Sequence, residues 1–427
     1  MWGEDCYEGK SVLSPSSASK FCLAFTDLVT NWVKSIPEAI IPSILIRLPI
    51  KSLIKFTSVC KSWRSTIKDP SFIRTHLTHT LNFNDQNATH LLLLHAVFSE
   101  GTSCPFGRVH IKGFKEDPYS LLYDNNAASQ YSKIEFPIGL KQRMENPCFR
   151  VVGSCNGLVL LSDDLGCYAY NFVIWNPSIR KYVTLPKPFV RFSTHGGYDA
   201  SLGLGYDAIG NDYKVVRLTT LLDQPDKYPT TLAQVYSLAK GCWGSLRALP
   251  PCVVPGSVVQ TFVNGALHWL ALRWMDDHFN CFVVAFDVGN ESYRELILPK
   301  SFEPERSLEL RLCDSGDRKS IALFVRCKSE SRCFLDIWVM KEYCQEKSWT
   351  KLMILTPQGP NRSLPEALIF RRTGEVVLVL EDSRELVSLD IVSKQFKNLG
   401  ISGGQVCSVD LYDESLVLLD RKDAVSY

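Results

Sequence analysis

The chain has 427 residues, 45% of them hydrophobic and 22% charged, and a formal net charge of +2. That composition excludes a chain disordered throughout and supplies enough apolar side chain for a sizeable core. It also excludes the strong charge imbalance from which a nucleic-acid or membrane-surface partner could be inferred. Length alone allows one small module plus one large domain, or two to three average domains.

Fifteen cysteines are scattered along the chain with no Cys-x-x-Cys pair, a distribution expected of reduced, mostly buried thiols rather than a disulfide framework. No run of 18 apolar residues is present. Residues 1–34 lack a basic start followed by an apolar run, so no secretory signal is expected. The expectation is a soluble protein of the cytoplasm and/or nucleus, where the sequons at Asn87, Asn290 and Asn361 would escape glycosylation.

In chain order, residues 1–34 are Ser-rich and without sustained period, a mobile tail with a short helix near "FCLAFTDLVTNW". Residues 35–77 turn helical. Ile40, Ile44, Leu45 and Leu48 fit one stripe, while Leu53, Phe56, Cys60, Trp63 and Ile67 step by three and four. Pro37 and Pro49 punctuate helix starts and Pro70 is expected to mark an end. Between Lys34 and His76 stand eight Lys or Arg against only Glu38 and Asp69.

Residues 85–420 read as short strands rich in Val, Leu, Ile, Phe and Tyr, separated by Gly, Asn, Asp and Pro. One unit recurs six times, as in "FVIWNPSIRKYVTLP" and "VVAFDVGNESYRELILP". The units end at Pro137, Pro186, Pro250, Pro299, Leu355 and Leu399, about 52 residues apart on average. Four strands with their turns need roughly 40–50 residues, the size of one propeller blade. "VCSVDLYDESLVLL" supplies two strands with no blade of their own, and the first unit is short, so the two ends are expected to pair and close a ring without an exposed edge. Two β-sandwiches side by side are the alternative. Residues 421–427 read as a tail.

A helical module of about 42 residues is near the lower size limit for independent folding. Its apolar positions are too many for so small an interior, so some must face a partner or the β region. "IPEAIIPSILIRLPIKSLIKFTSVCKSWRSTIKDPSFIRTHL" resembles the F-box of plant F-box proteins. The resemblance rests on Ile36-Pro37, Ile44-Leu45, Arg47-Leu48-Pro49, Lys51-Ser52-Leu53, Val59-Cys60-Lys61, Trp63 and Pro70-Ser71-Phe72. It departs from the pattern at Ser43, where Glu is usual, and at Pro42, where the first helix must either start or kink. The β region is similar to the F-box-associated domain. "SCNGLVLL", "IWNPSIRKYVTLP", "LGYDAIGNDYKVV", "FVNGALHWL", "AFDVGNESYRELILP" and "DIWVMKEYCQEKSWTKL" match its blocks in order. Only Gly196-Gly197 and Gly403-Gly404 supply the Gly-Gly doublet of a kelch repeat.

The resemblance implies an α+β multidomain chain, a short N-terminal helical F-box followed by an all-β, kelch-like propeller of about six blades. It implies a non-catalytic substrate receptor of a cullin-containing ubiquitin ligase. An SKP1-like adaptor would bind Ile36, Pro37, Ile40, Ile44, Leu45, Leu48, Pro49, Leu53, Val59, Cys60 and Trp63, and the β domain would hold a target protein whose identity the sequence does not carry. Trp63 is expected to close the module's core while Val59 and Cys60 shape the adaptor surface. A degenerate F-box on a non-ligase scaffold, or a propeller enzyme with an incidental helical preface, are the rival readings.

No residue set points to catalysis, a cofactor or a metal. "SVCK" at 58–61 lacks the companion elements of a Ser-x-x-Lys site. His76 and His79 lack a third ligand nearby in sequence. The glycines of "GLGYDAIG" have turn spacing rather than phosphate-cradling spacing. His268 and Trp269 are expected on opposite faces of one strand, and Asn176-Pro177 and Asp287 at turns. No basic patch interleaved with aromatics suggests nucleic acid. Loops 191–200, 222–230, 273–279 and 301–318 are the candidates for target recognition.

Overall fold

The computed structural model describes residues 37–103, 110–125, 128, 130–142, 146, 148–165, 171–223, 230–246, 252–256, 260–275, 278–299, 308–329, 333–357 and 363–427. The chain divides into two compact units at His79/Thr80. The expected N-terminal tail and Ile36 lie outside the described residues.

In the first unit a 3-10 turn over Glu38–Ile40 leads into α1 (Ile41–Leu45), then α2 (Ile50–Phe56), α3 (Lys61–Ile67) and α4 (Pro70–Asn87). Pro42 falls in the first turn of α1, where its missing N–H has no intrahelical partner to lose. The helix therefore begins there and is not kinked. Pro49 caps α2, and Cys60 caps α3 with its Sγ accepting the Trp63 N–H at 3.4 Å. Pro70 corrects an expectation. It opens α4 rather than only ending a helix, with the Asp69 carboxylate accepting the N–H groups of Ser71 at 2.8 Å and Phe72 at 3.3 Å. Ile41, Leu45, Ile50, Leu53, Ile67, Phe72, Ile73 and Leu77 are buried. His76 is buried with them, its Nε2 3.0 Å from the Leu48 carbonyl, and burial pushes its imidazole toward the neutral form.

The second unit is a ring of six antiparallel sheets, counted among the described residues. The second to fifth blades each take four consecutive strands, starting at Arg150–Cys155, Tyr198–Asp207, Thr261–Val263 and Leu308–Asp314, and the sixth starts at Glu366–Phe370. The first blade is composite. Its innermost strand, Val406–Tyr412, comes from the far end of the chain and pairs with Leu91–Ser103 in the register His95↔Ser408. The six innermost strands neighbour one another in cyclic order, so the ring closes through the chain's two ends and leaves no open edge between first and last blades. Residues 425–426, expected in a tail, instead add a fifth strand to the second blade beside Lys181–Tyr182.

The core lies between blades. Val376, Val377, Leu378 and Val379 form one fully buried strand, and Trp269 is fully buried with Leu267, Phe286 and Val216 around it. Trp269 donates to the Leu202 carbonyl at 3.1 Å, and His268, one residue earlier, contacts the Tyr343 hydroxyl at 2.9 Å. The two side chains thus pack toward opposite neighbouring blades, as alternation along a strand requires. Asn156-Gly157 and Asn264-Gly265 both have two successive positive φ angles, the turn geometry that makes Asn-Gly a hairpin signal. Gly203 has a different reason. A Cβ there would sit 2.7 Å from Trp269 Cζ2, so "GLGYDAIG" is partly a contact surface for the next blade rather than turn chemistry alone.

Candidate protein-interaction surfaces

The helical unit sorts the expected adaptor-binding residues by burial. Pro37, Ile40, Ile44 and Pro49 are exposed; Leu48, Val59, Cys60 and Trp63 are half-buried. Leu45 and Leu53 are fully buried and shape the surface from beneath. Ile40 and Ile44 stand 47% and 42% exposed one helical turn apart, which leaves large apolar side chains in water on so small a unit. Trp63 is not sealed in the interior. Its ring lies edge-on to Phe56 at 5.2 Å and its indole N–H finds no acceptor among the described residues. Lys51, Lys55, Lys61, Arg64 and Lys68 are exposed around these positions in sequence, a basic rim. Ser43 is exposed, and Arg47 donates to its carbonyl at 3.2 Å.

In the propeller, strand direction sorts the connections by face. The tight turns 156–157, 208–211 and 264–265 lie on one face, and strands joined by the longer segments 185–197, 246–260, 298–307 and 356–365 have those ends on the other. On the long-connection face Phe189, Phe192 and Leu222 are 57%, 52% and 47% exposed. Val190, Tyr198 and Leu221 are buried together, and Leu222 is tied to the Gly197 carbonyl at 2.9 Å. Phe192 and Leu222 fall in two of the expected recognition loops; residues 224–229, 276–277 and 301–307 of those loops lie outside the described residues. Phe189 was missed because a Phe in a Pro-rich connection carries no period that separates exposed from buried.

The channel at the ring's centre holds a cavity of about 340 Å³ lined by five of the six innermost strands. Asp314, Asp410 and Asp413 line it with Arg311 and Arg318. Arg318 is paired with Asp413, and Arg311 with Glu366 at 3.3 Å. The Asp314 carboxylate accepts the N–H groups of Gly316 at 2.6 Å and Arg318 at 3.0 Å, yet burial still raises its pKa. Burial pushes the Asp410 carboxyl up to about 7 against hydrogen bonds from the Ser154 and Leu411 backbone. The lining thiols Cys155 and Cys313 are pushed up to about 12 by burial, which keeps them protonated at neutral pH.

A helical unit with exposed apolar side chains, followed by a closed six-bladed propeller, is the domain order of a two-part F-box chain. The F-box domain family matches residues 34–75, and the F-box associated beta propeller domain matches residues 115–419. The chain belongs to the F-box proteins that carry this propeller. The Arabidopsis thaliana "F-box protein CPR1" is 27% identical over 414 residues, covering 90% of this chain and 89% of that one. The "F-box/kelch-repeat protein At3g23880" of the same plant is 28% identical, covering 75% and 79%. Among solved structures, AztD of Citrobacter koseri aligns with 77% of this chain and 99% of its own at 11% identity and a TM-score of 0.40. The blade count rests on the strand pairing above and not on that alignment.

Proposed function

We propose that the chain is the substrate-recognition subunit of an SKP1–cullin–F-box ubiquitin ligase, acting in the reducing cytoplasm or nucleus. Its helical unit docks on an SKP1-like adaptor and its propeller holds the target protein. F-box proteins are in general adaptors rather than catalysts, and a receptor of this kind accelerates transfer by raising the local concentration of target lysines near the charged enzyme. The observation that carries the reading is the exposure of Ile40 and Ile44 in a sequence matched by the F-box family. Large apolar groups of that sort become binding hot spots when covered, and the basic rim favours encounter with an acidic adaptor.

The reading assigns the target to the long-connection face, supported by the exposure of Phe189, Phe192 and Leu222 there. A second reading, an interaction scaffold that no longer engages the adaptor, draws on Ser43 standing where the family has an acid. One titration separates them. The intact chain should bind a purified SKP1-like protein, and Ile40→Asp with Ile44→Asp should weaken binding by roughly thirtyfold or more. Phe189→Ser with Phe192→Ser should leave adaptor binding intact and abolish target capture in proximity labelling under proteasome inhibition. No adaptor binding by the intact chain sinks the ligase reading.

A further inference from the structure

The channel carries a charge that the rest of the fold does not balance. Of its three lining aspartates, Asp413 is paired with Arg318, and Asp314 is held by the backbone of its own turn. Asp410 has neither solution. No cation among the described residues forms an ion pair with it, Arg318 being engaged by Asp413, while the Ser154 and Leu411 amides donate to its carboxylate. Asp410 is half-buried, and a carboxylate without an ionic partner in a partly desolvated site is disfavoured as the anion, so it keeps its proton or acquires a counter-ion.

A second, independent feature faces the same space. Gln260, at the start of the fourth blade, lines the cavity and is only 7% exposed, and its Oε1 has no donor among the described residues. Its amide reaches across to the second blade, where Gly153 leaves room. A Cβ on Gly153 would collide with Gln260 Nε2 and lie 3.7 Å from Asp410 Oδ2. Ser408, two residues before Asp410 on the same strand, also lines the cavity with a buried hydroxyl lacking a partner among the described residues. Asp410, Gln260 and Ser408 thus line one cavity, with the Gln260 amide nitrogen in the space that Gly153 leaves and its oxygen still without a donor among the described residues. At about 340 Å³ the cavity is at the small end of ligand pockets, which run from roughly 300 to 1,000 Å³.

We propose that this channel binds a small primary amine, its ammonium seated on Asp410 and its remaining N–H groups directed to the Gln260 amide oxygen and the Ser408 hydroxyl. An ammonium supplies both things the site lacks, a positive charge and several donors in one compact group. A small acid would meet three carboxylates, and a neutral alcohol would leave Asp410 unbalanced.

The test is calorimetric titration of the full chain at pH 8 with n-butylamine and its neutral isostere 1-butanol. Butylamine should bind one to one and at least tenfold more tightly than butanol. Asp410→Asn should remove that preference, and Gln260→Leu, which keeps the carboxylate, should weaken butylamine several-fold. Asp390→Asn, a turn carboxylate outside the channel lining, should change nothing. Equal binding of amine and alcohol, or undiminished amine binding by folded Asp410→Asn, overturns the proposal and leaves a hydrated carboxyl only. If Asp410→Asn does not fold, undiminished binding by Gln260→Leu overturns it equally.

Discussion

The two units solve the same problem, burial of an apolar face, in opposite ways. The propeller closes on itself: each blade packs between two others, and the first blade takes its inner strand from the far end of the chain. The helical unit cannot close. Its helices bury Leu45, Leu53 and Ile67 completely yet leave Ile40 and Ile44 in water. A large closed fold can be self-sufficient and recognise partners with what its loops add. A module near the lower size limit has too small an interior to bury all its apolar side chains, and in the function proposed above that shortfall is what an adaptor covers.

That contrast can be broken first at the seam of the ring. Arg371 in the sixth blade and Asp124 in the first are both fully buried and paired at 2.7 Å, with Ser388 Oγ 3.0 Å from the same guanidinium. Asp124→Ala should leave the buried guanidinium with Glu375 as its remaining ionic partner and destabilise the propeller by about 3 kcal/mol. In calorimetry only the propeller transition should fall; an unchanged midpoint would show that the seam does not hold the ring. In the helical unit, Leu53→Ala should cost about 2–5 kcal/mol and take adaptor binding with it. Ile44→Asp should weaken binding several-fold with the helical signal preserved. If both variants behave alike in circular dichroism, the division into interior and exposed residues fails.

The third test concerns acid. His268 is fully buried between blades and burial pushes its imidazole down to about 4 from an ordinary 6.5. Below pH 6.5 the unfolded chain takes up a proton that the folded chain refuses, so this contribution is complete above 6.5 and fades as pH falls toward 4. Asp410, pushed up to about 7, works in the opposite sense, binding its proton in the folded state and losing that contribution as pH rises through 7. The stability difference between wild type and His268→Gln isolates the first effect. It should narrow by roughly 1–3 kcal/mol between pH 7 and pH 4, and a pH-independent difference would contradict burial of a neutral ring.

The six sequence repeats turn out to be the outer two strands of the six blades, such as Phe172–Asn176 with Lys181–Thr184 and His278–Asp287 with Ser292–Ile297. These hairpins were legible because their tight turns and closing Leu-Pro are local signals. The apolar run "NGLVLL" likewise marked Leu158–Ser162 as a strand, but the innermost Arg150–Cys155 was not legible, since it is buried on both sides without the alternation or the long apolar run that marks a strand. The helical stripe was legible as well, but not the division within it, for Leu45 and Ile44 are adjacent residues whose burial differs completely.

By itself the sequence determined the two-part layout, the helical and β textures, the repeat number and the family motifs, because turn residues and hydrophobic period act over a few neighbours. Only the tertiary structure decided that residues 425–426 are a strand rather than a tail, that Gly203 is small for Trp269, and that Gly153, Gln260 and Asp410 meet in one channel. Each joins positions far apart along the chain, and no local propensity records which distant strand will become a neighbour once the ring closes.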